Sequence, residues 1–468
     1  MNMLCVMVLS RIRTLDEYGT YSQLLMSVSL LSTLLLLGLP NSINYFLGRA
    51  EDHQDRRNFL HQYYSLNLIL SALVGVILVL GIPALEWYYK NPAIGEYAFF
   101  LLLYPFASLT MSSVENVLVV YDRTDTLIGY RFFNSLALLL SVLVADWTGM
   151  SFRGYMIVFL AVQVLFGLWV YVLVRRLAEG LRFRIDKSQL RTILAFSVPL
   201  GLASSVGTLS RELDKLTISA LFSTEEYAIF TNAAKELPLT ILAASTTAVI
   251  MPKIALLLKR KQKEQAVSLW RESFALNYAV IALPVFGIIT FAPEAMIILY
   301  SEKYLPGVSV FRVYALLELL RCTYWGMLLN ATGNSRYIFR NSIYNLALNV
   351  VLNILFYMAM GFIGPAIATV VSTFILAAIM LRKTAKALDI STLSMLPLSE
   401  IGKISLLNLA LAVVFYAGKA LLPLDAVIGT VAESVILGGI WSLAYAVLVF
   451  GYVKSKWHTI NHYGELDA

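Results

Sequence analysis

The chain has 468 residues, of which 59% are hydrophobic and only 14% are charged, whereas a soluble globular domain carries roughly 25% charged residues. Apolar runs of about 20 residues recur along its whole length, which predicts an all-α integral membrane protein and excludes a soluble domain of useful size. The net charge of +7 lies mostly in short loops between apolar runs, as topology-setting charge does, so no nucleic-acid partner is predicted.

The predicted elements are about fourteen transmembrane helices joined by short loops, the first of them truncated. Residues 1–12 are too few to span a bilayer, so we expect either that the native start lies upstream of Met1 or that this helix is short and packed among the others. No cleavable signal peptide is predicted, because the segment has no basic n-region and no small-residue cleavage site. The other predicted spans are 21–47, 62–85, 97–120, 132–146, 155–175, 192–216, 227–252, 274–292, 307–330, 341–360, 363–381, 404–422 and 427–452.

Charge in the loops predicts the orientation. Loops after even-numbered spans contain 25 Lys and Arg, including the run from Arg175 to Arg191, whereas loops after odd-numbered spans contain about 7. Because Lys and Arg concentrate on the cytoplasmic side of a membrane, both termini are predicted to be cytoplasmic.

One phrase occurs twice along the chain. Residues Leu9 to Ser22 read LSRIRTLDEYGTYS and residues Ile218 to Thr231 read ISALFSTEEYAIFT, an offset of 209 positions. Six predicted spans separate the copies, so both fall on the same outer face and the repeats are parallel. The predicted organisation is an N-terminal six-helix lobe at 1–180, a C-terminal six-helix lobe at 181–390, and two extra helices with a cytoplasmic tail at 391–468.

The eighth span contains Lys235 and Glu236, followed by Pro238. A charge at the bilayer centre costs from about 2.5 to over 10 kcal/mol, so it should face a cavity or a partner. Lys235 has no acidic residue three or four positions away, and Pro238 removes a backbone donor and weakens the helix. A cation beside a helix break is the first candidate for an anion site. The alternative, given equal weight, is that Lys235 snorkels to the outer face.

Other charges lie in the fourth and seventh spans. Arg211 and Asp214, and likewise Glu212 and Lys215, are three residues apart and can pair along the end of the seventh span. A self-neutralised helix end is the favoured interpretation there. Glu115 lies in a polar patch of the fourth span, where a buried, unpaired carboxyl could carry a proton. Interhelical hydrogen bonding is an equal alternative.

Two further polar features lie in the tenth and eleventh spans. Glu318 and Arg321 are three residues apart in the tenth span. The eleventh span carries a stripe of asparagines at spacing four, which either lines a sugar-accepting cavity or holds helices together, the second being slightly favoured. The stripe consists of Asn341, Asn345, Asn349 and Asn353.

The two cysteines, Cys5 and Cys322, both lie in apolar runs and are predicted to be small buried residues. They provide neither a disulfide framework nor metal-ligand spacing. No cofactor is predicted. The chain has no Gly-rich phosphate loop and no HEXXH-type metal motif, so direct ATP hydrolysis is not expected.

Four motifs in order resemble those of the bacterial polysaccharide-biosynthesis membrane proteins, the Wzx-type oligosaccharide flippases of the multidrug/oligosaccharidyl-lipid/polysaccharide exporter superfamily. They are SRIRTLDEYGTYSQ, DKLTISALFSTEEYAIFTNAAKELP, LYSEKYLPGVSVFRVYALLELL and the run from Asn330 to Ser372. The resemblance covers essentially the whole chain. The chain departs from the family pattern at Ala228 and Ser301, where the family usually has glycine.

This resemblance implies two pseudo-symmetric six-helix lobes around a central cavity, plus two extra helices. It implies a flippase of the bacterial inner membrane that moves oligosaccharide units on undecaprenyl pyrophosphate from the inner to the outer leaflet for O-antigen, capsule or exopolysaccharide synthesis. The implied partners are the lipid-linked oligosaccharide, membrane lipids, and the polysaccharide polymerase and glycosyltransferases of the same pathway. Rocking of the lobes would expose the cavity to each side in turn.

The physical need is a polar route for pyrophosphate and sugars, because each unsatisfied hydroxyl costs several kcal/mol in hydrocarbon and each phosphate charge more. The candidates for holding the pyrophosphate are, in order, Lys235, Arg321, Lys215 and Arg211. The resemblance suggests that an ion gradient drives transport, and the candidates for ion coupling are Glu115, Glu236 and Asp214.

Two alternative functions stay open. A multidrug or cation exporter of the same superfamily would need an acidic cavity, which Lys235 and Arg321 weakly oppose. A membrane glycosyltransferase or polymerase would need catalytic residues on a sizeable extramembrane loop, whereas every predicted outer loop is short. The prediction is therefore a transporter and not an enzyme.

Overall fold

The structure is a computed structural model that describes residues 3–421, 429–461 and 463. In these residues the chain forms twenty α-helices, three short 3-10 helices and no strands, which confirms the predicted all-α class. The first ten α-helices are α1 (Met3–Ile12), α2 (Leu15–Leu36), α3 (Leu39–Arg49), α4 (His53–Leu80), α5 (Ile82–Tyr89), α6 (Ala98–Ser112), α7 (Val114–Val120), α8 (Thr124–Trp147), α9 (Phe152–Leu177) and α10 (Lys187–Leu221).

The described part of the second half of the chain is also built of α-helices. Its helices are α11 (Thr224–Ala233), α12 (Thr240–Lys259), α13 (Lys263–Thr290), α14 (Ala292–Leu299), α15 (Val308–Leu320), α16 (Met327–Ala331), α17 (Ser335–Met360), α18 (Gly364–Leu388), α19 (Leu398–Leu421) and α20 (Thr430–Asn461). The 3-10 helices are Pro92–Tyr97, Glu302–Gly307 and Gly361–Ile363.

Within the described part of the chain, eleven stretches are long and apolar enough to cross a membrane, and one of them, Ser335–Leu388, contains both α17 and α18. The predicted total of about fourteen spans stays a prediction. Cys5 and Cys322 are both buried and free, as expected for small apolar residues.

Five spans that the sequence predicted as continuous are each divided into two helices, so their predicted continuity is wrong. The span 62–85 breaks at Gly81, between α4 and α5. The span 21–47 breaks between α2 and α3, where Leu37 and Gly38 adopt left-handed backbone with φ of 46° and 72°. The span 97–120 breaks at Ser113 and the span 227–252 breaks at residues 234–239. The span 307–330 breaks at residues 321–326.

The repeated phrase is a helix start in both copies. Thr14 Oγ1 accepts a hydrogen bond from Glu17 N–H at 3.2 Å, while Thr14 N–H donates back to Glu17 Oε2. Ser223 and Glu226 make the same reciprocal pair at the start of α11, with distances of 3.2 and 3.0 Å. This capping box satisfies backbone donors that have no partner inside the helix. It explains why a hydroxyl residue and an acidic residue recur three positions apart.

The order of elements also recurs. A 28-residue helix, an 8-residue helix, a six-residue 3-10 helix and then another helix begin at residues 53, 82, 92 and 98, and again at residues 263, 292, 302 and 308. Each start is displaced by 210 positions, one more than the offset of the repeated phrase. The recurrence agrees with the predicted repeat, while the pseudo-symmetry of whole lobes stays a prediction.

The chain divides into two compact units, Met1–Ile229 and Phe230–Ala468. The first unit includes α10, which packs against α2 and α3. In the second unit, α19 and α20 pack against α13, and Trp441 and Tyr445 of α20 join the same buried cluster as Trp270 of α13. The predicted boundaries at residues 180 and 390 describe repeat units rather than compactness, and they stay predictions.

Small residues allow close helix contacts in the first unit. A Cβ on Gly201 of α10 would lie 1.9 Å from the carbonyl carbon of Leu37, in the break between α2 and α3. A Cβ on Gly75 of α4 would lie 2.4 Å from the carbonyl oxygen of Leu102 on α6. Backbones that approach this closely gain van der Waals contact that larger residues would prevent.

We expect Gly201→Ala to lower stability by about 1–3 kcal/mol, because the added methyl group meets backbone and α10 must shift away from α2 and α3. Thermal unfolding of the detergent-purified chain measures the effect. Gly207→Ala, on the same helix, is the control, since its nearest new contact would be Arg211 Nη1 at an ordinary 3.6 Å. Equal stability of the two variants would contradict this packing account.

Candidate functional site

The break between α11 and α12 is the most polar interruption of a predicted span in the second unit. Ala234 N–H still donates to the Phe230 carbonyl at 2.7 Å, and Lys235 N–H donates to the Asn232 carbonyl at 3.3 Å. Regular helix resumes only at Thr240. Pro238 has no N–H to continue the helix, so the weakening predicted from Pro238 is confirmed as an interruption.

Side chains of α15 complete the hydrogen bonding of this break. Glu318 Oε1 accepts the backbone N–H of Leu237 at 3.2 Å, and Arg321 forms an ion pair with Glu236. Glu318 is 3% exposed. Its second oxygen, Oε2, has no hydrogen-bond partner among the residues that the structure describes. The end of α15 therefore provides a carboxylate for a freed backbone donor and a guanidinium for Glu236.

The charges around the break balance formally. Lys235 and Arg321 contribute two positive charges, while Glu236 and Glu318 contribute two negative charges. Lys235 is half-buried and Glu236 is exposed. The predicted positive lining is therefore offset here by two carboxylates.

Arg321 also lines a cavity of about 570 Å³ inside the second unit. The cavity lies among α12, the 321–326 break, α17 and α18. Its lining combines one guanidinium, the aromatic rings of Tyr324 and Trp325, and several hydroxyl groups within a mostly apolar wall. Such a wall buries apolar and ring surfaces, while the few polar groups fix orientation. The hydroxyl residues of the lining are Thr240, Thr247, Thr323, Ser342 and Thr373.

The remaining predicted cations, together with Asp214, lie on α10 of the first unit. Lys215 Nζ forms an ion pair with Glu212 at 2.9 Å, which confirms that predicted pairing. Arg211 is exposed and donates to Thr208 Oγ1 at 3.3 Å. Asp214 is 1% exposed, and its carboxylate accepts the N–H of Lys215 at 2.8 Å.

Glu115 differs from its predicted surroundings. Its side chain is 58% exposed and forms an ion pair with Arg131 of α8, so the picture of a buried, unpaired carboxyl is wrong. Spacing along one helix could not reveal this contact, because Arg131 belongs to the next helix, 16 residues away. The pair joins α7 to α8, as the interhelical alternative proposed. Its role in ion coupling stays a prediction.

The asparagine stripe of α17 is largely buried. Asn341, Asn349 and Asn353 are each less than 9% exposed, and Asn353 Nδ2 donates to Asn349 Oδ1 at 2.9 Å. α17 packs closely against α18. Burial on a packed helix favours the role of holding helices together over that of lining a cavity.

Glu318 is the residue whose importance the sequence analysis missed, since it paired Glu318 with Arg321 along one helix. A carboxylate in an otherwise apolar helix was the available signal. Its contact with Leu237 spans 81 positions of the chain and depends on the break. Local spacing therefore could not reveal it.

Comparison with known proteins agrees with this architecture. A family model described as polysaccharide biosynthesis protein matches residues 8–309, and the chain belongs to that family. An uncharacterized membrane protein of Methanocaldococcus jannaschii, MJ1375, is 23% identical over 184 residues. That match spans 39% of this chain and 43% of the relative.

Solved structures share the fold. A lipid II flippase MurJ in an inward closed conformation matches with a TM-score of 0.70 at 14% identity, covering 96% of each chain. A MATE protein in complex with MaL6 matches with a TM-score of 0.54 at 19% identity, covering 83% of this chain and 94% of that one. An outward-facing multidrug resistance MATE family transporter of the MOP superfamily matches with a TM-score of 0.52 at 20% identity, covering 83% and 93%. This chain is therefore a multi-pass membrane protein with the fold of flippases and transporters.

We expect Glu318→Ala to lower stability by about 1–3 kcal/mol, because Leu237 N–H then loses its acceptor in a buried setting. Glu318→Gln keeps an acceptor oxygen of the same reach and serves as the control. Thermal unfolding in detergent measures both variants. If Gln and Ala destabilise the chain equally, the hydrogen bond to Leu237 is not what Glu318 provides.

Proposed function

We propose that this chain is a flippase that moves undecaprenyl-pyrophosphate-linked oligosaccharide units from the inner to the outer leaflet for surface polysaccharide synthesis. Membership of the polysaccharide biosynthesis family supports the pathway. Fold similarity to a protein named as a lipid II flippase supports lipid-linked cargo. The proposed location is the bacterial inner membrane with both termini in the cytoplasm, as the distribution of Lys and Arg predicts.

The observation that carries the proposal is the cavity beside the 234–239 break. Pyrophosphate needs a cation and sugars need hydrogen bonds together with flat apolar faces. The cavity wall offers Arg321, five hydroxyl residues and the rings of Tyr324 and Trp325. A headgroup held there would exchange its water contacts for protein contacts, which lowers the cost of crossing the apolar layer.

Arg321 would alternate between two anionic partners. At rest it pairs with Glu236. Binding of the coupling ion at Glu236 would release the guanidinium for the substrate phosphate, and this exchange would link substrate binding to an ion gradient. Arg321 is thus proposed as the phosphate ligand and Glu236 as the coupling carboxyl, with Lys235 beside them as a second cation.

The residues on α10 have secondary roles in this proposal. Lys215 and Arg211 would hold the pyrophosphate at another stage of transport, and Asp214 and Glu115 are further coupling candidates. Polysaccharide polymerase and glycosyltransferases of the same pathway are the proposed partners, since one makes use of the flipped unit and the others assemble it.

A second function, multidrug or cation export, is favoured by one observation, the fold similarity to MATE transporters. Glu318 Oε2 has no hydrogen-bond partner in the described residues. A carboxylate oxygen of this kind could attract a cationic substrate. A drug-susceptibility assay in cells that express the chain separates the two functions, because a flippase restores surface polysaccharide and does not raise drug resistance.

We expect Lys235→Ala to lower transport roughly ten- to hundredfold, the effect of losing one charge-assisted hydrogen bond to phosphate. Movement of a fluorescent lipid-linked oligosaccharide across reconstituted vesicles measures transport. Lys235→Arg should retain most activity, and Lys403→Ala, an exposed cation at the start of α19, is the control. Full activity of Lys235→Ala at normal expression would exclude Lys235 from the anion site.

We expect Glu236→Gln to strengthen substrate binding by up to about fivefold, because the ion pair that competes for Arg321 is worth about 0.2–1 kcal/mol when solvent reaches it. The same variant should lose the dependence of transport on the ion gradient. Binding of the lipid-linked substrate and transport with and without a gradient are the two measurements. Arg321→Ala should abolish the gain in binding, and a gain that persists in the double variant would contradict the exchange.

A further inference from the structure

A second cavity, of about 470 Å³, lies in the first unit and has a lining rich in polar residues. Its residues precede those of the candidate site in the chain. It is formed by the first turns of α4 and by the segment that connects α9 to α10. Its lining consists of Gln54, Arg57, Asn58, His61, Arg182, Phe183 and Arg184. Three arginines thus converge on one concavity, and none of its lining residues is acidic.

The connecting segment is fixed to α4 by its backbone. Arg182 N–H donates to His61 Nδ1 at 3.2 Å and Arg184 N–H donates to Ser65 Oγ at 2.9 Å. Asp186 N–H donates to Gln62 Oε1 at 2.7 Å. Because every second N–H is used, residues 182–186 run extended beside α4. The backbone of Arg182 and Arg184 is therefore held in place by its own N–H groups, and substitution of the two side chains leaves these hydrogen bonds intact.

The alternation has a consequence for the side chains. In an extended segment, side chains two positions apart project to the same side. Arg182, Phe183 and Arg184 all contribute to the cavity lining, and Phe183 and Ile185 are 66% and 43% exposed. Basic and apolar residues therefore alternate along a segment held at the surface of the unit.

Within the described residues Arg57, Arg182 and Arg184 form no ion pair. Asp186, two positions from Arg184, caps α10 and accepts from the Ser188 hydroxyl and from the N–H groups of Ser188 and Gln189. These hydrogen bonds, the Ser188 hydroxyl first, lower the pKa of Asp186, and the charge of Arg184 is also among the causes that lower it. Since His61 Nδ1 accepts a hydrogen bond, its Nε2 is left as the N–H donor of a neutral ring.

The geometry points to a binding site for the phosphate of an anionic membrane lipid. Guanidinium groups bind phosphate oxygens in paired hydrogen bonds, and three of them without carboxylates repel one another until an anion binds. A free phosphate would leave Phe183 and Ile185 in water, whereas a lipid headgroup brings acyl chains beside them. The start of α4, with Arg57, and the segment with Arg182 are both predicted to lie on the cytoplasmic side, where anionic lipids give the leaflet a negative surface.

This inference is independent of the proposed cargo, because it concerns a resident lipid that the chain holds whether or not it flips an oligosaccharide. The lipid would fasten the α9–α10 connection and the start of α4 to the headgroup layer. It would therefore strengthen a contact between two segments that are 119–124 positions apart in the chain.

The test uses the full-length chain in detergent, titrated with phosphatidylglycerol or with phosphatidylcholine, and counts bound lipid by native mass spectrometry. We expect phosphatidylglycerol to be retained in preference to phosphatidylcholine. The double variant Arg182→Gln/Arg184→Gln should weaken its retention roughly ten- to thirtyfold. The matched control, Arg175→Gln/Arg176→Gln, removes two exposed arginines from the end of α9 that do not line the cavity, and it should change retention far less.

Two results would overturn the inference. Equal losses in the two double variants would mean that general attraction of basic residues, and not this cavity, retains the lipid. Displacement of phosphatidylglycerol by an equal concentration of inorganic phosphate would mean that the site takes a free anion. Because the connecting segment is held by backbone groups, the pocket variant should keep its thermal stability without lipid, and this measurement separates lost binding from lost folding.

Discussion

Hydrogen bonding of the backbone in an apolar medium is the constraint on which this structure depends. Every N–H and C=O that a helix does not satisfy must find another partner there, at a cost of several kcal/mol if it fails. The chain meets this constraint with capping boxes at Thr14 and Ser223. Where α11 gives way to α12, it meets it with the Glu318 carboxylate. The candidate site thus lies where an interrupted helix takes a side-chain acceptor for its backbone.

The parts of the fold that local chemistry controls could be predicted from the sequence. Apolar runs identified the all-α class, and Pro238 identified the weakest point of its span. The break at Leu37 and Gly38 was missed although a left-handed glycine marks it. The breaks at Ser113 and at residues 321–326 have neither a proline nor a left-handed glycine as a signal. They depend on how neighbouring helices pack, which periodicity along one segment cannot reveal.

The candidate site was predictable residue by residue but not as an arrangement. Lys235, Glu236 and Arg321 were each recognisable as charges that hydrocarbon disfavours. The pairing of Glu236 with Arg321 was not predictable, because the two residues are 85 positions apart. Their contact depends on the break between α11 and α12. Glu115 shows the same limit, since its partner Arg131 belongs to another helix and changes a supposed buried acid into an exposed ion pair.

The interruption at residues 234–239 has no counterpart 209 positions earlier, where α2 runs unbroken from Leu15 to Leu36. If the two halves were alike at this place, each would offer a charged ligand the same backbone and side-chain groups. The break between α11 and α12 makes the two halves chemically different at this place. The two halves therefore differ at this place: the second has a break in which a side chain of α15 accepts a backbone N–H, while the first keeps an unbroken helix.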